Sequence, residues 1–418
     1  MLSEKFLSEN FYETDNDLEK LRSLMREVQE HTKFQRIRSD DLKIMSYKCT
    51  EGNKLNFYEL NPVDLFYEDG TIKHRVVSFD KNSVLKRGNF VDLITETENN
   101  TKFMLYDDFK LYFVSPNIFS TMDRFGLSSD LLVIPDKARD DIIARQFHKK
   151  AQNCTLVTRE YNKNKKVFAV LSGKYTDVKQ ETLIDVIDKI SNDGTMGKAK
   201  CYKWGMSHFI TSIYVEFPEK AKQVQDKYKL KDNVIPGLWL ATSDTGDCSV
   251  KIRGTWRTKN SITIHQEIKK KHLGEVNPEK ILEEVDKVIF SEYCKLPEAL
   301  CDLLMQDITD TSWDLATPSG QLQNRTAIKN TVKNLFNDIG MVKAIGKKEE
   351  KVLYERVMDE FDPSMHYTAY DIAISILNLP SRIAGESVKK ANLQKACGLA
   401  PYAKYDTTKS TPKIVLTA

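Results

Sequence analysis

The stretch Pro236-Gly-Leu-Trp-Leu-Ala-Thr-Ser-Asp-Thr-Gly-Asp-Cys-Ser-Val-Lys-Ile-Arg-Gly-Thr-Trp-Arg257 decides the reading of this chain. Its second half alternates with period two. Cys248, Val250, Ile252 and Trp256 fall on one side of a strand, and Ser249, Lys251, Arg253, Thr255 and Arg257 on the other. Residues 238–242 read as the partner strand, joined to it through Asp244-Thr-Gly-Asp247 as a hairpin. A sheet that buries the first set turns Lys251, Arg253 and Arg257 outward. Such a row is a surface for a polyanion, or only a solvated face.

Upstream, residues 155–161 and 166–171 form a second hairpin about Asn162-Lys-Asn-Lys165. A helix is expected over 180–190. A strand follows over 207–217, with Phe209, Thr211, Ile213, Val215 and Phe217 on one face. Helical material from Ser115 to Lys150, broken near Pro135, completes an α/β unit over residues 115–260. Before it, residues 16–32 carry Leu18, Leu21, Leu24, Met25 and Val28 at helical spacing, with Asn16 or Asp17 as N-cap. Short strand-like runs at 42–47, 54–60, 74–79 and 102–106 make residues 1–114 a β-rich N-terminal region.

After Ser261 the periodicity is helical, over 264–273, 278–293, 297–308, 321–339, 349–361, 369–377 and 387–399. The tail 402–418 lacks a period and is expected to extend or fray. The expected fold class is therefore α+β: a mixed, largely antiparallel sheet with flanking helices and a helical C-terminal half over 261–418.

Composition excludes more than it identifies. With 418 residues, 40% hydrophobic and 29% charged, the chain can bury large cores and is not disordered as a whole. The net charge of +3, from 63 Lys plus Arg against 60 Asp plus Glu, does not by itself point to nucleic acid. The seven cysteines (Cys49, Cys154, Cys201, Cys248, Cys294, Cys301 and Cys397) contain no Cys-x-x-Cys pair, so reduced thiols in a cytoplasm are expected. Acids interrupt the N-terminus where a signal peptide needs an apolar run, and no segment approaches ~18 consecutive apolar residues. A soluble protein without a membrane partner is expected.

Catalytic patterns are poor. There is no His-Glu-x-x-His, no Gly-x-x-x-x-Gly-Lys-Ser/Thr and no Gly-x-Ser-x-Gly. His265 and His272 would share one helix face two turns apart, too far for one metal. Asp244 and Asp247 read as Asx-turn residues. No catalytic residue, metal or cofactor is expected. Cations cluster more clearly. Lys251, Arg253, Arg257, Lys259, Lys269, Lys270 and Lys271 stand against the single acid Glu267. By alternation Trp256 belongs to the core, so aromatic partners must come from a neighbouring strand that carries Tyr214. A second segment, Gly197-Lys-Ala-Lys-Cys-Tyr-Lys-Trp204, interleaves Lys198, Lys200 and Lys203 with Tyr202 and Trp204 ahead of a strand. That mixture suits phosphate contact plus base stacking. The turn around Lys163, Lys165 and Lys166, with Arg159 nearby, is a weaker basic tip.

Ile118-Phe-Ser-Thr-Met-Asp-Arg-Phe-Gly-Leu-Ser-Ser-Asp-Leu-Leu132, Leu156-Val-Thr-Arg-Glu-Tyr161 and Val167-Phe-Ala-Val-Leu-Ser-Gly-Lys-Tyr-Thr-Asp177 resemble, in order, segments of a family of phage- and plasmid-related proteins of unknown function found in mobile elements. Pro236-Gly-Leu-Trp-Leu-Ala-Thr-Ser-Asp-Thr-Gly246 resembles its Asn-Ser-Glu-x-Gly signature, with Thr242-Ser-Asp244 in place of Asn-Ser-Glu. Tyr367-Thr-Ala-Tyr-Asp-Ile-Ala-Ile-Ser-Ile-Leu377 and Leu393-Gln-Lys-Ala-Cys-Gly398 resemble its closing helices. The resemblance covers roughly residues 115–400 and carries no catalytic residues. It implies a protein acting in a host-cell cytoplasm near replication or recombination.

The expected function is non-catalytic binding of nucleic acid, single-stranded DNA before duplex. The expected contacts are Lys198, Lys200, Lys203, Lys251, Arg253, Arg257, Lys269, Lys270 and Lys271. The alternative is a structural or assembly protein of a virus particle or phage complex, acting as a homo-oligomer through its C-terminal helices. An enzyme would need a pocket that gathers His208, Asp244, Asp247 and His272.

Overall fold

A computed structural model describes residues 4–7, 11–39, 43–51, 54–60, 75–80, 104–107, 110–114, 149, 151–161, 164–175, 179, 181–246, 248–259, 261–270, 278–383 and 388–408. For those within 43–114 and 164–166, and for 278 and 388, it describes the backbone alone. The strands in chain order are β1 (Tyr12–Asp15), β2 (Thr32–Arg38), β3 (Lys43–Glu51), β4 (Lys54–Leu60), β5 (Arg75–Asp80), β6 (Met104–Asp107) and β7 (Lys110–Val114). After them come β8 (Asn153–Tyr161), β9 (Asn164–Ser172), β10 (Lys200–Ser207), β11 (Thr211–Glu216), β12 (Val234–Thr242), β13 (Val250–Thr258) and β14 (Ser261–Lys270).

They make two sheets. One has six strands in the order β1-β10-β11-β12-β13-β14, and the other has eight in the order β2-β8-β9-β7-β6-β3-β4-β5. All pairings are antiparallel except β7 with β9. The fold is α+β, largely antiparallel, with flanking helices and a helical C-terminal half. Strands from residues 1–114 enter both sheets: β1 pairs with β10, and β2 with β8.

Helix α1 (Leu18–Glu30) starts where the sequence places it. The Asp17 side chain accepts hydrogen bonds from the Glu19 and Lys20 amides, and Leu21, Met25 and Val28 are buried. Helix α2 (Thr182–Asp193) ends at Gly194, whose φ of 76° suits a residue without a Cβ. Helix α3 (Pro218–Tyr228) links β11 to β12. The C-terminal half contains α4 (Pro278–Val288), α5 (Lys295–Leu304), α6 (Pro318–Asp338), α7 (Met341–Ile345), α8 (Lys347–Met358), α9 (Ala369–Leu377) and α10 (Val388–Gly398). A capping box between Thr368 and Asp371 sets the start of α9. One continuous apolar core joins the inner face of the six-stranded sheet (Trp204, Ile213, Val215, Leu238, Leu240, Ile252, Trp256) to α1, α2 and the C-terminal helices. Among the described residues, no helix is long and apolar enough to cross a membrane.

The structure corrects several expectations. The segment 264–273 is not a helix, because Ser261–Lys270 is the edge strand β14, laddered to β13. Ile264 and Ile268 are four residues apart, a spacing that fits two strand repeats as well as one helical turn. The β-branched run Ile262-Thr-Ile264 and the pairing with β13 decide for the strand. His265 therefore lies on a strand, and His272 falls outside the described residues. The expected strand 207–217 is the second arm of a hairpin: β10 ends at Ser207 and β11 begins at Thr211. Strand β2 had no expectation at all. The helical material expected over 115–150 lies outside the described residues, apart from Lys149.

His265 gives the fold a pH dependence. Its buried Nε2 atom has no hydrogen-bond partner among the described residues, and its ring sits between Trp256 and Tyr402. Burial pushes its pKa down from 6.5 to about 4. The unfolded chain takes up this proton first, so stability should fall below pH ~6.5 and level off near the folded value, at up to ~1.4 kcal/mol per pH unit. Urea midpoints measured between pH 7 and 4 should show this limb flattened in His265→Phe. An unchanged limb would refute the assignment.

Candidate functional site

The outer face of the six-stranded sheet is built from cross-strand rows. Lys203 pairs with Tyr214, Tyr214 with Trp239, Trp239 with Arg253, and Arg253 with Glu267. Paired residues share a face, so two cations, two aromatic rings and one acid stand in one row across five strands. The neighbouring row is Gly205, Ser212, Ala241, Lys251 and Lys269. The opposite face of these strands holds Trp204, Ile213, Leu240 and Ile252, all buried. Trp256 is 1% exposed and belongs to that core, as alternation requires. The aromatic partner missing from β13 itself comes from the next two strands, as Trp239 and Tyr214.

The arginines on this face are neutralised. Arg253 bonds Glu267 at 2.6 Å and lies over the Trp239 ring, 4.4 Å from its centroid. Arg257 makes a two-pronged contact with Glu216 and covers the Tyr202 ring at 5.4 Å. Glu267 also receives Lys269 at 3.0 Å and Lys395 of α10 at 2.9 Å. Burial raises its pKa, but hydrogen bonds from Lys395, Arg253 and Lys269 outweigh this and hold it at about 2. Lys270 pairs with Glu284 of α4. The linear sequence sets one acid against seven cations because Glu216 and Glu284 come from other elements.

Four of the expected contacts remain outside any ion pair among the described residues. Lys198, Lys200 and Lys203 are exposed, and Lys251 is half-buried. The first three lie on and just before β10, so the segment expected ahead of a strand is itself largely strand. A bulge between Cys201 and Lys203 turns Tyr202 to the outer face. There it meets Tyr214 edge-on, with centroids 5.6 Å apart, and is 54% exposed. Trp204 is core and offers no stacking surface. Lys271 falls outside the described residues.

A second polar centre had no expectation. Arg159, at the end of the buried run 154–159 of β8, is 1% exposed and places one guanidinium nitrogen 2.7 and 2.6 Å from the two Asp244 oxygens. Its other terminal nitrogen meets the His208 ring at Nδ1, and Phe6, Phe11 and Phe168 surround that ring. The Tyr175 hydroxyl donates toward the Ser243 and Asp244 carbonyls. Asp244 is thus a buried ion-pair partner and not an Asx-turn residue, and Arg159 belongs to no basic tip. The centre joins the β12–β13 turn to the eight-stranded sheet. His208 and Asp244 do come together, through Arg159, but as a closed ion pair with no free acid or base. Asp247 lies outside the described residues.

Among the described residues, no three His, Cys, Asp or Glu side chains gather as a metal ion would require. The chain matches no protein-family model, no curated protein and no solved structure.

Proposed function

We propose that this protein binds single-stranded nucleic acid, DNA in the first instance, on the outer face of the six-stranded sheet, centred on β10. One observation carries the reading: Lys198, Lys200 and Lys203 are exposed and free of carboxylates among the described residues, with the exposed Tyr202 ring among them. Cations that track phosphates beside aromatic faces are what unpaired strands need. The other expected contacts take secondary parts. Lys251 and Lys269 extend the positive surface across the sheet, while Arg253 and Arg257 hold aromatic rings in place and are only partly available to phosphate. The resemblance to phage and plasmid proteins would set such binding in replication or recombination.

The experiment is fluorescence anisotropy of labelled single-stranded and duplex DNA over a salt series. The variant should be the lysine triple Lys198→Ala, Lys200→Ala, Lys203→Ala. Charge reversal at Arg253 or Arg257 would set a new acid against Glu267 or Glu216 and perturb the sheet itself. Three phosphate contacts predict a log–log salt slope of about −2 for the wild type. The triple change should remove most of that slope and weaken binding at least tenfold at low salt. Absence of salt-sensitive binding to either DNA would refute the proposal.

A further inference from the structure

We infer that Tyr12, from the N-terminal strand β1, is a second base-stacking platform, and that the bound DNA strand runs along β10 between Tyr12 and Tyr202. This rests on the binding reading above and goes further, in assigning a path, a footprint and a residue far away in sequence. Tyr12 pairs with Ser207 at one end of β10, and Thr14 with Gly205. Ser207, Gly205 and Lys203 alternate onto the outer face, so Tyr12 stands on the same side as Lys203, Tyr214 and Trp239. Its hydroxyl oxygen lies only 2.6 Å from where a Cβ on residue 205 would stand. The glycine is what lets the ring lie down across β10.

Tyr12 is 56% exposed and Tyr202 54%, and each shows a ring that is not committed to the core. Four residues of β10 lie between the Tyr202 and Ser207 positions, which are five steps apart, roughly 16 Å at strand rise. Lys203 lies between the two rings, and Lys200 and Lys198 continue beyond Tyr202. The order along the strand is therefore ring, cation, ring, cation, cation. Bases resting on the rings would leave their phosphates beside the lysines, and the footprint should fall at the short end of the ~4–16 nucleotides usual for such sites. Two of the carboxylates beside this path are already paired: Asp15 on β1 is held by Lys20 at 2.5 Å, and Glu216, opposite Lys200, is held by Arg257. Glu13 on β1 and Glu219, packed against Gly197, are exposed acids at its two ends. An acidic peptide would satisfy the lysines but has nothing to lay on two tyrosine rings, so the occupant is a chain with flat bases.

The test uses the full chain with oligo-dT of graded length, an abasic strand of equal charge, oligo-rU and poly-glutamate. Each of Tyr12→Ala and Tyr202→Ala should weaken oligo-dT binding roughly 5- to 100-fold, the range for loss of one stacked base. Phe at either position should restore it, and circular dichroism should be unchanged because both side chains are exposed. The abasic strand should bind wild type about as weakly as the alanine variants bind oligo-dT. Equal binding of oligo-dT by wild type and both alanine variants, with the lysine dependence intact, would overturn the path and leave the binding reading standing. Poly-glutamate binding as tightly as oligo-dT, or oligo-rU binding more than tenfold tighter, would overturn the assignment of the occupant. No binding of any strand by wild type would remove the reading on which the inference rests.

Discussion

Arg159→Met should cost about 3–5 kcal/mol of stability, because it leaves the Asp244 carboxylate in the interior without its counter-ion. Asp244→Leu should cost a similar amount by stranding the guanidinium, whose Nε atom already lacks a partner among the described residues. The double replacement should recover much of the loss, since an ion pair exchanged for apolar side chains of similar volume is often close to neutral. Urea denaturation of the four proteins would form a double-mutant cycle with a coupling of several kcal/mol. Single changes that each shift stability by less than about 1 kcal/mol would mean that the pair is solvated, against its burial. The consequence reaches beyond stability. Arg159 also donates to the His208 carbonyl, in the turn that joins β10 to β11. Removing it should loosen the end of β10 that carries Ser207, against which Tyr12 of β1 pairs, so DNA binding in surviving Arg159→Met protein should weaken as well.

How far the sequence discloses this molecule depends on the range of the interactions. Local signals survive folding. Asp17 caps α1, the 369–377 helix has its expected bounds, and Trp256 is core because alternation along β13 is a property of that strand alone. The failures come where distant segments decide. Ile264 and Ile268 satisfy two periods, and only β13 selects one. Glu216 and Glu284 cancel cations from which they are separated by 41 and 14 residues. The pairing of Arg159 with Asp244 spans 85 residues. Little in the local sequence marks it, since Glu160 next to Arg159 and the threonines around it read as an ordinary half-exposed strand. For the candidate site, the lysines and Tyr202 were legible because they are neighbours in sequence. Tyr12 was not, since nothing local says that a four-residue strand will lie beside β10.

Glu267 separates a binding face from a merely solvated one, because its removal has two consequences of opposite sign. Glu267→Ala should destabilise the fold by about 3 kcal/mol, since it leaves Arg253, largely covered against the Trp239 ring, without a counter-charge and close to Lys269 and Lys395. The same change frees three cations on the outer face. If that face binds DNA, affinity at low salt should rise, with a steeper salt slope, in protein shown to be folded. If the face is only solvated, affinity will not change. Acid titration supplies an independent check on the ion-pair hub. The folded carboxyl sits at about 2, below its unfolded value near 4.5, so the stability it contributes is complete above pH ~4.5 and is lost as pH falls toward 2. That limb lies below the one set by His265, which begins near pH 6.5, and Glu267→Gln should make the lower limb shallower without touching the upper one, the remainder coming from other carboxyls held low, such as Asp15 and Glu349. The glutamine variant keeps the side-chain shape and removes the charge, so tighter DNA binding by Glu267→Gln would follow from charge and not from a rearranged sheet.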